Sequence, residues 1–204
     1  MSNPTKILIA EDQRMMRSAL ASLLELEDDL TVVAEVARGD EVVASARHSR
    51  PDVVLLDIEL PGRNGLDVIA DLRQALPHCA IIAVTTFGRP GYLRRALESG
   101  ARGFLVKDDP VDELATAIRR VLGGEIVVNP RLAAQALSAR PNPLTERERE
   151  VLAASTNGAT IADVAAQLSL SSSTVRNYLS AAIGKLDARN RGEALSIARD
   201  RGWL

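Results

Sequence analysis

Apolar residues run unbroken through Ile7-Leu8-Ile9-Ala10, Val53-Val54-Leu55-Leu56 and Ala80-Ile81-Ile82-Ala83-Val84. Such short runs, rich in β-branched residues, are what strands buried on both faces of a parallel sheet require. Between them lie stretches whose apolar positions recur every three or four residues, the mark of helices with one face turned inward. The alternation predicts strands 6–10, 31–36, 53–57, 80–85 and 103–107, each followed by a helix, at 14–26, 40–48, 66–75, 91–99 and 111–122. Residues 1–122 thus read as a doubly wound α/β domain, a parallel sheet covered by helices on both faces. Periodicity alone does not give the strand order.

The pattern changes after Leu122. Gly123-Gly124, Asn129-Pro130 and Arg140-Pro141-Asn142-Pro143 punctuate a stretch with one expected helix, 131–138. Gly and Pro in such positions end helices and favour an exposed connector, so 123–143 is read as a linker. From 144 to 204 the rhythm is wholly helical. Thr145 and Glu148 form a capping box for a helix that Gly158 can end. Ile161, Val164, Ala165 and Leu168 line a second helix, and Ser169-Leu170-Ser171 makes a tight turn. Ser171 can cap a third helix with the stripe Val175, Leu179, Ala182, Ile183 and Leu186, and Asn190 and Glu193 open a fourth that ends near Gly202. An all-α four-helix domain follows.

At 204 residues, 46% of them apolar, the chain can build two cores. Its net charge of -2 conceals an asymmetry: residues 1–122 carry 15 Lys/Arg against 19 Asp/Glu, and 123–204 carry 10 against 8. Acidic and basic halves point to separate partners. The single cysteine, Cys79, excludes an intrachain disulfide, and no Cys/His grouping resembles a zinc site. The start of the chain has no basic-then-apolar leader, and no apolar run approaches bilayer length. A cytoplasmic protein without membrane insertion is therefore expected.

The chemistry lies at strand ends. Glu11-Asp12 closes the first strand and Asp57 the third, which gathers three carboxylates where open α/β sheets bind ligands. They would repel one another unless a cation sat among them, and an all-oxygen cluster suits a hard ion such as Mg2+. Asp57 is then the candidate phosphoacceptor, with Glu11 and Asp12 holding the metal. Thr85 and Lys107, ending the fourth and fifth strands, offer a hydroxyl and an ammonium. Both would bind a dianionic phosphoryl group more strongly than a bare carboxylate, the differential affinity a switch needs. Taken singly, each is an ordinary strand-end residue; their convergence on one sheet edge carries the reading.

In the second half, two helices joined by a three-residue turn have the proportions of a helix-turn-helix. The third helix leaves Ser173, Arg176, Asn177 and Ser180 on its free face, where Arg can address guanine or phosphate and Asn adenine. Lys185, Arg189 and Arg191 add charge suited to DNA phosphates. Over residues 169–192, four basic residues stand against Asp187 alone.

Residues 1–122 resemble the receiver domain of bacterial two-component response regulators at Glu11-Asp12, Asp57, the loop Leu60-Pro61-Gly62-Arg63-Asn64-Gly65, Thr85 and Lys107. The resemblance implies a flavodoxin-like sheet in the order 2-1-3-4-5, a sensor histidine kinase as phosphodonor, and a metal contact from the Glu59 backbone carbonyl. It also implies that Phe104 is a switch aromatic that turns inward as Thr85 moves toward the phosphoryl group. One departure concerns the residue after the lysine, commonly proline with a cis bond in receivers; here Lys107 precedes Asp108-Asp109-Pro110.

Residues 144–204 resemble the DNA-binding domain of the NarL/FixJ class, shared with LuxR-type proteins. The matching features are Leu144-Thr145-Glu146-Arg147-Glu148, Ser173-Thr174-Val175-Arg176-Asn177, Lys185-Leu186 and Asn190-Arg191. This implies that Arg176, Asn177 and Ser180 face DNA and that the last helix, about 190–201, is a dimer contact. A narrower resemblance, to the DesR group, rests on the segment 85–92 around Phe87, on Thr174-Val175-Arg176-Asn177-Tyr178 and on Gly202-Trp203.

The function implied is a non-enzymatic, phosphorylation-activated transcriptional regulator that binds promoter DNA as a homodimer. Two alternatives stand beside it. One is a DNA-binding regulator whose acidic cluster is vestigial. The other is a phosphotransferase or phosphatase using Asp57 and Glu59, which the absence of a second Asp in the motif and of any cap-like segment disfavours.

Overall fold

The computed structural model describes residues 3–86, 88–108, 112–138, 141–156 and 158–204, the side chains of Asp112 and Ser138 excepted. Phe87, Asp109, Pro110 and Arg140, named above for their motifs, lie outside the described residues. The chain forms two compact units, Met1–Gly88 with Leu93–Gln135, and Arg89–Tyr92 with Ala136–Leu204.

Up to Ser138 the elements follow as β1 (Thr5–Ala10), α1 (Arg14–Leu24), β2 (Leu30–Val36), α2 (Val42–Ser49), β3 (Val53–Asp57), α3 (Gly65–Ala75), β4 (Ala80–Thr85), α4 (Pro90–Glu98), β5 (Gly103–Val106), α5 (Asp112–Leu122), β6 (Val127–Val128) and α6 (Pro130–Ser138). The sheet is parallel, in the order β2-β1-β3-β4-β5-β6, the flavodoxin-like arrangement with one strand added at the edge. The apolar runs fill the central strands β1, β3 and β4. Alternate residues Ile7, Ile9, Val53, Leu55 and Ile82 meet Leu24 of α1 and Leu114, Ala117, Ile118 and Val121 of α5 in one core. The intervening Leu8, Val54, Leu56 and Ile81 are equally buried, so neither face of the sheet is left to water.

The sixth strand differs from expectation. Val127 and Val128 fall in the stretch read as an exposed connector, yet they pair with Gly103 and Phe104. The Val127 N–H donates to Arg102 O at 2.9 Å, and Arg102 reaches Gly124 O at 3.1 Å. Two residues are too few to show a period, whereas the neighbouring Gly and Pro are conspicuous. The helix expected at 131–138 is α6.

The second unit holds α7 (Glu146–Ala154), α8 (Ile161–Leu168), α9 (Ser172–Lys185) and α10 (Arg191–Asp200). Val151, Leu152, Val164, Val175, Leu179, Ala182, Ala194, Ala198 and Trp203 form its core. Both α7 and α8 begin with reciprocal capping boxes, Thr145 with Glu148 and Thr160 with Asp163. Helix α7 stops at Ser155 rather than at Gly158, and the buried Ser155 hydroxyl donates to Val151 O at 2.7 Å. At α10 only half of the expected box forms. Asn190 accepts the Glu193 N–H at 3.0 Å, but the Glu193 carboxylate takes the Arg189 N–H at 2.6 Å instead of returning to Asn190. Among the described residues, no helix is long and apolar enough to cross a membrane.

Candidate functional site

Because β1, β3, β4 and β5 are parallel and adjacent, their carboxyl ends deliver Glu11-Asp12, Asp57, Thr85 and Lys107 to one edge. One carboxylate oxygen from each of Glu11, Asp12 and Asp57 lies within 4.8 Å of the others. Glu11 and Asp57 have side chains only 2% and 3% exposed, whereas Asp12 is open to solvent. The Lys107 ammonium bridges the buried pair, at 2.6 Å from Glu11 Oε2 and 2.9 Å from Asp57 Oδ2.

Burial pushes the Glu11 carboxyl above its ordinary range and the neighbouring Asp57 adds to that, while the Lys107 hydrogen bond opposes it. Burial alone would pull Lys107 down, but its hydrogen bonds to Glu11 and Asp57 carry it above the usual lysine value. When ionised, three carboxylates and one ammonium leave a formal excess of two negative charges. An all-oxygen cluster with that excess fits a hard divalent cation.

Backbone geometry fixes Asp57. The Glu59 N–H donates to Asp57 Oδ1 at 3.1 Å, and the Lys107 N–H donates to Thr85 O at 2.8 Å, which ties the ends of β4 and β5 together. Gly65 permits α3 to start against the chain beside Asp57: a Cβ there would lie 2.1 Å from the Asp57 carbonyl oxygen. Thr85 is fully buried and hydrogen-bonded. Phe104 is fully buried too, paired with Ala83, so this aromatic already stands inward. All peptide bonds among the described residues are trans, Lys107–Asp108 included.

One contributor escaped the sequence reading. Arg17, on α1, donates to the Glu11 backbone carbonyl at 2.6 Å and stands 3.4 Å from Glu35 on β2, which anchors the acidic turn. Its six-residue separation from Glu11 is a fixed spacing, but spacing does not indicate a bond to a main-chain oxygen.

In the second unit, Ser169 adopts the left-handed conformation at φ 54° to turn the chain between α8 and α9. The Ser171 hydroxyl then caps α9 by accepting the Thr174 N–H at 3.1 Å. Val175, Leu179, Ala182 and Leu186 face the core, which leaves Ser173, Arg176, Asn177 and Ser180 exposed together. The other three basic residues are engaged within the domain. Lys185 binds Glu148 at 2.7 Å, Arg189 pairs with Glu193 at 3.0 Å, and Arg191 donates to Ala159 O at 2.7 Å.

An acidic site on a doubly wound sheet, followed by a helix-turn-helix unit, defines a class: switchable DNA-binding regulators of transcription. Residues 7–119 match the response regulator receiver domain, and residues 142–198 match the bacterial regulatory proteins of the luxR family. The chain belongs to the response-regulator family with a luxR-type DNA-binding domain. It is 45% identical over 198 residues to the transcriptional regulatory protein DesR of Bacillus subtilis, a match covering 97% of this chain and 98% of that one.

Among solved structures, the response regulator ChrA of a heme-sensing two-component system is 30% identical, with a TM-score of 0.58 and 100% of both chains covered. The RcsB response regulator of Salmonella typhimurium, 22% identical with a TM-score of 0.77 over 98% of this chain and 99% of that one, shares the fold. The protein is thus a phosphorylation-dependent DNA-binding regulator.

Proposed function

We propose that Asp57 is the phosphoacceptor and a sensor histidine kinase the donor. An Asp57 carboxylate oxygen attacks the phosphorus of a phosphohistidine, the P–N bond breaks, and the imidazole nitrogen keeps the electron pair and takes a proton. Glu11, Asp12 and Asp57, with the Glu59 backbone carbonyl, would hold Mg2+, which supplies neutralisation of the phosphoryl oxygens when bound. The observation that carries this reading is the Lys107 ammonium seated between Glu11 and Asp57 in a buried carboxylate cluster. A cation in that place meets the phosphoryl group on Asp57, which carries a charge of roughly -1.5 to -2. Thr85 donates its hydroxyl to the new oxygens, and Phe104 is held inward behind it.

The change reaches the surface made by the last strands and helices of 1–122 and favours a homodimer. Two copies of α9 then meet paired half-sites about one helical turn, or a multiple, apart. Ser173, Arg176, Asn177 and Ser180 face the major groove. Arg189 and Arg191 turn to phosphates as their protein contacts yield. The segment 123–143 joins the two functions, and the protein works in the cytoplasm as a regulator, not as a turnover enzyme.

The test is sedimentation of wild type and Asp57→Ala with Mg2+ and beryllofluoride, alongside labelling by a radioactive small-molecule phosphodonor. Label on wild type alone, with a monomer-to-dimer shift confined to wild type, is expected. Equal labelling of the variant would refute Asp57 as acceptor. Absence of any shift would refute phosphorylation-driven dimerisation.

A further inference from the structure

Three basic residues beside the DNA-reading helix are engaged in the protein, but not in the same way. Arg189 and Glu193 form a surface pair in which the Arg189 side chain is 85% exposed. Such a pair contributes little, and a DNA phosphate can replace Glu193 at small cost. Lys185 instead meets Glu148, whose side chain is 7% exposed and which also accepts the Thr145 N–H at 2.7 Å on the same oxygen. Removing Lys185 to a phosphate would leave a buried carboxylate without its cation, the costly way to break an ion pair.

The two partners stand 37 residues apart and join the last residue of α9 to the first turn of α7. Glu148 therefore closes the α7 capping box and clamps the far end of α9 at once. Arg176 and Asn177 lie eight to nine residues back along the same rigid helix, roughly 12–14 Å away at 1.5 Å per residue. A tilt at Lys185 is transmitted to them.

We propose that Lys185 is a positioning residue, its ammonium bracing α9 to α7 through Glu148, and that it is not a ligand of DNA phosphate. This rests on α9 being the DNA-reading helix. The test uses the full chain with Lys185→Gln, Glu148→Gln, the double variant and Arg189→Gln. Trp203 is the only tryptophan and lies in the core of the helical unit, so its fluorescence reports the melting of that unit. A brace predicts that Lys185→Gln lowers the melting temperature by a few degrees, that Lys185→Arg restores it, and that Lys185→Gln has little further effect once Glu148 is Gln.

The second readout is the slope of log affinity against log salt for a labelled random-sequence duplex of about three helical turns. Arg189→Gln should lose about 0.9 of slope, as one phosphate contact does. Lys185→Gln should keep the wild-type slope. A slope loss in Lys185→Gln equal to that of Arg189→Gln would overturn the proposal, as would a melting loss that persists undiminished in the Glu148→Gln background. Failure of wild type to bind the duplex would instead sink the DNA reading of α9, and the melting cycle would still judge the brace.

Discussion

Replacing Gly65 with alanine tests how closely the start of α3 is coupled to the acceptor. The added Cβ would lie 2.1 Å from the Asp57 carbonyl oxygen, 1.3 Å inside the 3.4 Å where ordinary contact begins, and 3.0 Å from Ile58 Cα. The obstacles are backbone atoms, so no rotamer relieves them. Overpacking of this kind costs about 1–3 kcal/mol. Alanine returns about 1 kcal/mol through its better helix propensity, so the net loss expected is about 0–2 kcal/mol.

The larger effect is positional. A shift of about 1 Å at a reacting group can slow a reaction about 100-fold, and the displaced peptide is that of Asp57 itself. Single-turnover labelling by a small-molecule phosphodonor should fall by about that factor, while urea unfolding followed by circular dichroism shows the modest stability loss. A Gly65→Ala protein that is labelled at the wild-type rate would refute the claim that the acceptor loop has no room to move.

The same substitution at Gly184, inside α9, should act in the opposite direction. Nothing lies within 4 Å of its ideal Cβ, so Gly184→Ala should raise the stability of the helical unit by about 1 kcal/mol, visible as a later Trp203 transition. Arg176→Ala should weaken specific operator binding by about 1–3 kcal/mol in fluorescence anisotropy while phosphoryl acceptance stays normal; unchanged affinity would reassign the groove-facing side. Burial, with Asp52 nearby, pushes the Cys79 thiol from an ordinary 9.0 up to about 12. The folded state then holds the proton more tightly than the unfolded one, so stability is lost as pH rises above 9 toward 12. Native protein should resist a thiol reagent at neutral pH and react once unfolded, and fast native labelling would count against that burial.

The fold was legible where many residues repeat one pattern. Continuous apolar runs at 53–56 and 80–84, closed by Asp57 and Thr85, delimited β3 and β4 to the residue, because a strand buried on both faces admits a polar residue only at its end. β6 was not legible, since two valines carry no period. Gly158 misled as a helix end because its left-handed backbone serves the turn after α7, while the helix already ends at Ser155, whose N–H turns to Leu152 O. At the acidic edge, residue types foretold the carboxylates and Lys107, since each follows its strand directly. The Lys185–Glu148 and Arg17–Glu11 contacts were not foretold, because they depend on which helix ends meet in space.

The sheet order has a consequence for biosynthesis. The acidic edge takes its residues from four strands spread over positions 11 to 107, so it is not assembled until that whole span has been made. Every strand of the sheet, β6 included, has been made by Val128, before any residue of α7 to α10 exists. Domains fold as units, those nearer the amino terminus first during synthesis. On the ribosome, the receiver half can therefore fold as a unit before the helical half is complete.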